Sequence, residues 1–315
     1  MKKQTWAAWL FISPNLIGFA VFTAWPVAFS LVASFTNWSL ERPQTSYVGL
    51  RNYQELLGDQ KFWLYLGNTV YMMLGLPVAL FGSLWLAVLL NRKLPGIAAF
   101  RTLLYIPSFA SGVAIMLLWK ALYNPDYGPI NQSIRLLYGF FHIHADVPQW
   151  LLSTKNLAGL DVEKVGITGS QFGLGARDAL NIMGVWTAIG GNNMLLYLAA
   201  LSNVPEELIE AAQLDGASKW RCFKDVTWPQ LAPTTFFILV MSIIGGLQGG
   251  FDQARVMTTG GPSNTTTSLA YHIYSLAFEQ FRIGYASAVS WVLFGFVFLA
   301  TMVNWRFGNR ATSYV

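Results

Sequence analysis

The chain has 315 residues, of which 54% are apolar and only 11% are charged. This composition is typical of an integral membrane protein and excludes a wholly soluble fold. The formal net charge is +5, and because Cys222 is the only cysteine, no disulfide can form within the chain.

Six apolar segments are long enough to cross the hydrocarbon core as helices, which takes roughly 20 residues each. They lie at 9–35, 62–91, 102–122, 181–201, 234–250 and 284–305. None contains Asp or Glu, and Lys120, at the end of the third, is their only basic residue. The first follows Lys2 and Lys3 but is too long for a signal peptide. The sequence therefore predicts an all-α integral membrane protein with six transmembrane helices.

The distribution of basic residues orients these helices, because cytoplasmic loops are enriched in Lys and Arg. With the N-terminus inside, the inner segments hold ten of the twenty basic residues, at about twice the density of the outer segments. They hold five of the fifteen acidic residues, so the whole excess charge of +5 lies inside. We interpret this charge as an indication of topology, with both termini cytoplasmic, and expect no nucleic-acid partner. The ten residues are Lys2, Lys3, Arg92, Lys93, Arg101, Lys219, Arg221, Lys224, Arg306 and Arg310.

A polar segment between the fourth and fifth spans, 203–233, has the pattern of two short helices joined by a glycine. Glu206 and Glu207 suit the N-terminus of the first helix, where negative charge is favourable. Gly216 can take the left-handed conformation that ends this helix. The second helix is predicted at 217–226, with Pro229 ending it. This segment is predicted to be cytoplasmic and to fit a groove on another protein.

This segment resembles the signature loop of permease subunits of binding-protein-dependent ABC importers. One departure is Trp228, where an aliphatic residue is more usual in that family. The resemblance rests on the following residues: Glu210, Ala211, Ala212, Asp215, Gly216, Ala217, Phe223, Val226 and Pro229.

The resemblance implies that the loop is a coupling loop, which docks on a separate ATPase subunit and receives its conformational change. It also implies a second permease chain, forming a heterodimer, two ATPase subunits and an extracytoplasmic solute-binding protein. ATP and magnesium would bind to the ATPase, so no cofactor is expected on this chain. The expected location is the bacterial inner membrane, surrounded by lipid.

Four outer segments extend the resemblance over nearly the whole chain, which would be a single transporter domain, 1–315. They are 47–53, 124–131, Gly260-Gly261-Pro262 and 278–288. Individually such segments are ordinary turn sequences, but in this order they are similar to the carbohydrate-uptake branch, with its maltose-type and glycerol-3-phosphate-type permeases. An outer insertion of about 20 residues, near 159–178, departs from the family pattern. It is either a solvated loop or a contact for the binding protein.

No phosphate-binding Gly-x-x-x-x-Gly-Lys-Ser/Thr motif is present, so this chain is not expected to bind ATP itself. The resemblance implies that it is a transport subunit and not an enzyme. The alternative is a gradient-driven secondary transporter. Ion coupling usually needs ionisable groups at membrane depth, which cost about 2.5–3.5 kcal/mol each, and the interiors of the predicted spans contain none. His142 and His144 lack a third ligand nearby, so no metal site is predicted.

Polar and aromatic residues within the spans are candidates for the path of a sugar, since sugars are bound by amides and aromatic faces. Asn193 follows a glycine pair in the fourth span, and Gln248 stands between glycine pairs in the fifth. Clustered glycines free backbone groups, which is tolerated where the backbone lines a cavity. Tyr71, Trp186 and Tyr197 are predicted at similar depth. Hydrogen bonding between helices is the alternative role of the two amides.

Overall fold

The computed structural model describes residues 2–41, 44–92, 95–110, 112–158 and 172–312, and helix is their dominant structure. Within these ranges only two isolated β-bridges occur, Thr36 with Tyr47 and Asn156 with Phe172. The all-α class is therefore confirmed. In chain order the α-helices are α1 (Lys2–Phe19), α2 (Trp25–Ser34), α3 (Arg51–Gly58), α4 (Gln60–Met72), α5 (Leu76–Leu90), α6 (Ile97–Phe109), α7 (Gly112–Leu122), α8 (Pro129–Phe140), α9 (Ala176–Ile189), α10 (Asn192–Ser202), α11 (Glu206–Leu214), α12 (Lys219–Cys222), α13 (Trp228–Gln248), α14 (Leu269–Tyr274) and α15 (Ile283–Thr312).

The chain forms two compact units, one of residues 1–62 with 272–295 and one of residues 63–271 with 296–315. In the first unit, α15 joins the N-terminal helices through side-chain hydrogen bonds. The Trp291 indole N–H donates to Ser30 Oγ at 3.2 Å, and the Tyr285 hydroxyl donates to the Asp59 carboxylate at 3.0 Å. Asn52, from the family-like segment 47–53, donates to the main-chain carbonyls of Ser34 and Thr36.

The second unit has two apolar clusters, which bury side chains from helices distant in sequence. One cluster joins α5, α10 and α13 and includes the fully buried Met194 and Leu231. The other joins α7 and α9 to the turn around Trp150 and includes Ala179 and Met183. The coupling loop and the candidate path residues all belong to this unit.

Four continuous helices among the described residues have the length and composition of membrane spans: Trp9–Ser34, Gln60–Leu90, Lys219–Gln248 and Ile283–Arg306. A fifth candidate is the pair α6 and α7, bent by 95°. The predicted fourth span, 181–201, is two helices, α9 and α10, that break at Gly190 and Gly191. A Cβ at Gly190 would lie 2.3 Å from the Leu104 carbonyl oxygen, so only glycine permits this approach of α6 to the break.

The prediction that Pro229 ends the second short helix is wrong, because the chain from Lys219 to Gln248 is one continuous helix. A proline has no N–H to donate, and the helix accommodates this by widening into a π-turn at Phe223–Thr227. There the N–H of Trp228 reaches the carbonyl of Phe223, five residues earlier. A π-turn at Ala20–Ala24 precedes Pro26 in the same way.

Candidate functional site

The predicted helix–glycine–helix is present, and its turn has the geometry expected for glycine. Gly216 has a φ of +81°, in the left-handed region. Its N–H donates to the Gln213 carbonyl at 3.0 Å, and the N–H of Ala217 donates to the Ala212 carbonyl at 2.9 Å. These two bonds form a Schellman motif, which satisfies the last carbonyls of α11.

The second helix of the turn begins with a side-chain cap, since Ser218 Oγ accepts from the main-chain N–H of Arg221. Beside it, two large apolar side chains face solvent in this chain. Leu214 is 89% exposed and Trp220 is 71% exposed. The Trp220 ring stacks on Phe223, with 5.8 Å between ring centroids. Exposed apolar side chains of this size are typical of a surface that another protein covers.

The turn is joined to the core through Phe223 and Trp228, which pack against the cluster of α5, α10 and α13. Trp228, the departure from the family pattern, is therefore a packing residue that anchors the start of α13. A displacement of the turn would reach the core through these two rings. Cys222 is buried at 5% exposure, with its Sγ 3.8 Å from the Ala217 carbonyl oxygen.

The remaining predicted coupling residues divide by exposure. Ala212, Ala217 and Val226 are half-buried. The exposed ones are Glu210, Ala211, Asp215, Gly216 and Pro229.

The five candidate path residues occupy different surroundings. Tyr71 is buried, and its hydroxyl donates to the Asp178 carboxylate at 2.5 Å. Tyr197 is buried in the cluster of α5, α10 and α13. Trp186 is 46% exposed and meets the Trp119 ring edge-on, with 5.5 Å between centroids. Asn193 is half-buried, and Gln248 is exposed.

A cavity of about 170 Å³ lies within the second unit, between α4, α5, α9 and the C-terminal end of α13. Its lining residues do not include those five. Polar groups reach it from Thr69, Asn181, Gln253 and Ser268, while the rest of the wall is apolar or backbone. Four glycines of the predicted glycine-rich stretch line it: Gly245, Gly246, Gly249 and Gly250.

At about 30 Å³ per water molecule, this cavity has room for roughly six waters. Sequence reasoning missed Asn181 and Gln253 as lining residues. The glycine pairs were the indication that could have led to Gln253, which follows them closely in sequence. Asn181 is held by a hydrogen bond from its Nδ2 to the Tyr71 carbonyl at 3.2 Å.

The outer family-like segments form hydrogen-bonded turns. Asn131 donates to the carbonyls of Pro125 and Pro148 and accepts from the Trp150 indole N–H. Thr266 Oγ1 donates to the Gly261 carbonyl at 2.8 Å within the loop that contains Gly260-Gly261-Pro262. Within the part of the chain that the structure describes, no three His, Cys, Asp or Glu side chains come together as metal ligands do.

Most of the predicted outer insertion, 159–171, lies outside the described residues. Its last part is described: α9 begins at Ala176, and both Arg177 and Asp178 are buried. Asp178 Oδ2 accepts from the main-chain N–H groups of Leu157 and Gly175, at 3.2 Å each. These residues therefore belong to the packed start of α9.

Comparison with known proteins is consistent with this arrangement. The chain is 35% identical over its whole length, and over 94% of the relative, to the "Probable ABC transporter permease protein YesP" of Bacillus subtilis. It is 32% identical to the "Lactose transport system permease protein LacF" of Rhizobium radiobacter, covering 90% of this chain and 88% of that one. A crystal structure of a bacterial alginate ABC transporter, in complex with an alginate pentasaccharide-bound periplasmic protein, matches with a TM-score of 0.79. It has 21% identity and covers 99% of this chain and 96% of the other.

The model of the family described as "Binding-protein-dependent transport system inner membrane component" matches residues 17–309. Membership of this family decides against the gradient-driven alternative and makes the chain a transport subunit whose ATPase is a separate subunit. Its helix–Gly216–helix turn, its apolar helices and this match over nearly its full length show that the chain belongs to the family of binding-protein-dependent inner membrane transport components.

Proposed function

We propose that this chain is one of two permease subunits of an ATP-driven importer for a saccharide or a saccharide-like solute. The cargoes named for two similar proteins, lactose and alginate, are both saccharides. The observation that carries the proposal is the turn at Gly216, which presents Leu214 and Trp220 outward while Phe223 and Trp228 pack on the core. That arrangement suits a loop that binds another protein and passes its conformational change to the core.

The proposed topology has six spans with both termini in the cytoplasm of a bacterial cell. Four spans are the continuous helices, the third is the bent pair α6–α7, and the fourth is the broken pair α9–α10. Support comes from the higher density of basic residues on the side that holds the turn. The turn would then face an ATPase in the cytoplasm, and two copies of that ATPase would serve the two permease chains.

The substrate path would use the cavity together with the surface that this chain presents to its partner permease. Trp186 and Gln248 are exposed in this chain, where a second chain would complete the path. Asn181 and Gln253 are the amides that reach the cavity itself. Tyr71, Asn193 and Tyr197 remain proposed path residues. Tyr71 is connected to α9 by the hydrogen bond from its hydroxyl to Asp178.

An extracytoplasmic binding protein would deliver the solute to the outer face, and the 159–171 part of the insertion is the proposed additional contact. Its mixed charges suit the polar rim of a protein–protein interface. Such charges affect the orientation of the two proteins and their association rate more than their affinity.

Reconstitution tests the proposal. Proteoliposomes with this chain, its partner permease and the ATPase should take up saccharide only with internal ATP and external binding protein. An ionophore should leave uptake unchanged. Uptake that follows an ion gradient and ignores ATP would overturn the proposal.

A further inference from the structure

Arg177, at the start of α9, is an unusual cation because it is only 4% exposed and most of its donors have no partner among the described residues. Its Nε and Nη2 atoms are buried and have no hydrogen-bond partner among the described residues. Only Nη1 has a neighbour of this kind, Asn68 Oδ1 at 3.5 Å, which is a long bond.

The two free nitrogens lie on one edge of the guanidinium. Their N–H groups are parallel, and this edge matches the two oxygens of a carboxylate or a phosphate. The guanidinium plane is supported by Tyr71, whose ring centroid lies 4.7 Å from Arg177 Cζ. The edge is therefore held in place by its surroundings.

The nearest carboxylate does not fill this role, because Asp178 is engaged elsewhere. Its Oδ1 accepts from the Tyr71 hydroxyl, and its Oδ2 accepts from two main-chain N–H groups. A guanidinium stays protonated in proteins, so Arg177 is a buried cation whose bidentate edge has no partner among the described residues.

Leaving such an edge unpaired is unfavourable, since each unsatisfied buried donor is destabilising and a charged one more so. Buried cations are normally paired, or they bind a ligand. Arg177 does not itself line the cavity, but residues close to it do. Leu180 and Asn181, three and four residues later on α9, line it, and so does Thr69, the neighbour of Asn68. Residues at these spacings share one face of a helix.

We infer that the Nε–Nη2 edge of Arg177 binds a carboxylate or phosphate group of the transported solute, and that the cargo is an anionic saccharide. This inference rests on the proposed importer function and specifies its substrate class. In it, the neutral part of the sugar occupies the cavity beside Asn181 and Gln253. Because Nε and Nη2 have almost no accessible surface in this conformation, the acidic group reaches Arg177 only when the start of α9 moves.

The first test uses the purified complex of both permease chains and the ATPase, without binding protein, at constant ionic strength. The probes are digalacturonate, its carboxyl-reduced neutral counterpart and a hexose phosphate, each at millimolar concentration. An anionic probe should raise the thermal unfolding midpoint, since a ligand that binds the native state stabilises it. If only digalacturonate raises the midpoint, the group bound is a carboxylate. If only the hexose phosphate raises it, the group bound is a phosphate.

Arg177→Gln should weaken binding of the anionic probe by about 10- to 100-fold, the loss expected for charge-assisted hydrogen bonds. Arg177→Lys keeps the charge without the bidentate edge and should lose several-fold. Arg135→Gln is the matched control, because Arg135 is exposed and donates to the main-chain carbonyls of Asp126 and Pro125. It should bind like the parent. If Arg177→Gln fails to assemble, the comparison of Arg177→Lys with the parent decides.

The inference is overturned if neither anion stabilises the complex, if the neutral sugar does so equally, or if both Arg177 variants keep the parent's anion response. Uptake of the same probes with binding protein then separates the two proposals. Neutral sugar uptake that is ATP-dependent and insensitive to Arg177 would end this inference and leave the importer in place. Loss of any ATP-dependent uptake, with the anion response preserved, would count against the importer alone.

Discussion

The main-chain N–H of Ala217 donates to the carbonyl of Ala212 across Gly216, with 2.9 Å between the two atoms. This bond forms only if the intervening residue takes a positive φ, here +81°. It sets the angle between α11 and α12, and with it the direction in which Trp220 faces.

Gly216→Val should abolish transport while leaving membrane insertion intact. A Cβ at Gly216 would meet no atom within 4 Å, so the cost is conformational, about 1–3 kcal/mol for a residue forced into the left-handed region. Co-purification of the ATPase and uptake are the measurements. Gly216→Asn is the matched control, because asparagine tolerates this conformation; it should retain most uptake. Equal uptake by both variants would remove the turn from the coupling role.

Trp220→Ala should weaken binding of the ATPase subunit by about 30-fold, the equivalent of roughly 2 kcal/mol for a buried aromatic anchor. Its ring is 71% exposed in this chain and is supported from behind by Phe223. Titration of detergent-solubilised permease with the ATPase measures the change. Trp6→Ala removes an equally exposed tryptophan from α1 and should bind the ATPase normally. A parent-like affinity for Trp220→Ala would place the docking surface elsewhere.

Cysteine labelling should place the turn in the cytoplasm. Glu210→Cys is exposed, so a membrane-impermeant thiol reagent should label it in inverted vesicles and not from outside intact cells. Restoring the ATPase should protect it. Cys222 contributes little background because it is 5% exposed, and Leu40→Cys is a control expected to label from outside. Labelling of Glu210→Cys in intact cells would reverse the topology.

Deleting 159–171 should leave assembly intact and raise the concentration of binding protein at half-maximal uptake several-fold. The ends can be joined by a short linker, since Asn156 and Phe172 form a β-bridge and the Gly173 N–H donates to the Asn156 carbonyl. A longer deletion, 159–178, is the contrast: it removes Asp178, so complex stability should fall. Parent-like kinetics for the shorter deletion would make the segment a solvated loop.

Gly184→Leu should block uptake while the complex continues to hydrolyse ATP. Gly184 lines the cavity, and a Cβ there meets no atom within 4 Å, so the larger side chain would extend into free space. Gly139→Leu is the matched control on α8, with similar open space and no place in the cavity wall. Rates of uptake and of binding-protein-stimulated hydrolysis are compared in proteoliposomes. Unimpaired uptake by Gly184→Leu would show that solute bypasses this cavity.

Several features of this protein were predictable from sequence because they depend on local chemistry. Membrane insertion follows from the apolar content of short windows, and the turn follows from one residue, Gly216, whose missing Cβ permits a positive φ. The π-turns before Pro26 and Pro229 are also local, yet the sequence predicts a helix end at Pro229. The sequence rule assumes that a missing donor stops a helix, whereas here the turn widens and the helix continues.

Other features depend on contacts between segments far apart in the chain. Tyr71 and Asp178 are 107 positions apart, and the Leu104 carbonyl lies against the helix break at Gly190. The sequence predicts candidate path residues by their depth along each helix, but depth does not specify rotation. Which amides reach the cavity, here Asn181 and Gln253, depends on the packing of the helices. Arg177 looked like part of a solvated insertion by composition. Only the packing of α9 against α4 makes it a buried cation, because burial is a property of what surrounds a side chain and not of the side chain itself.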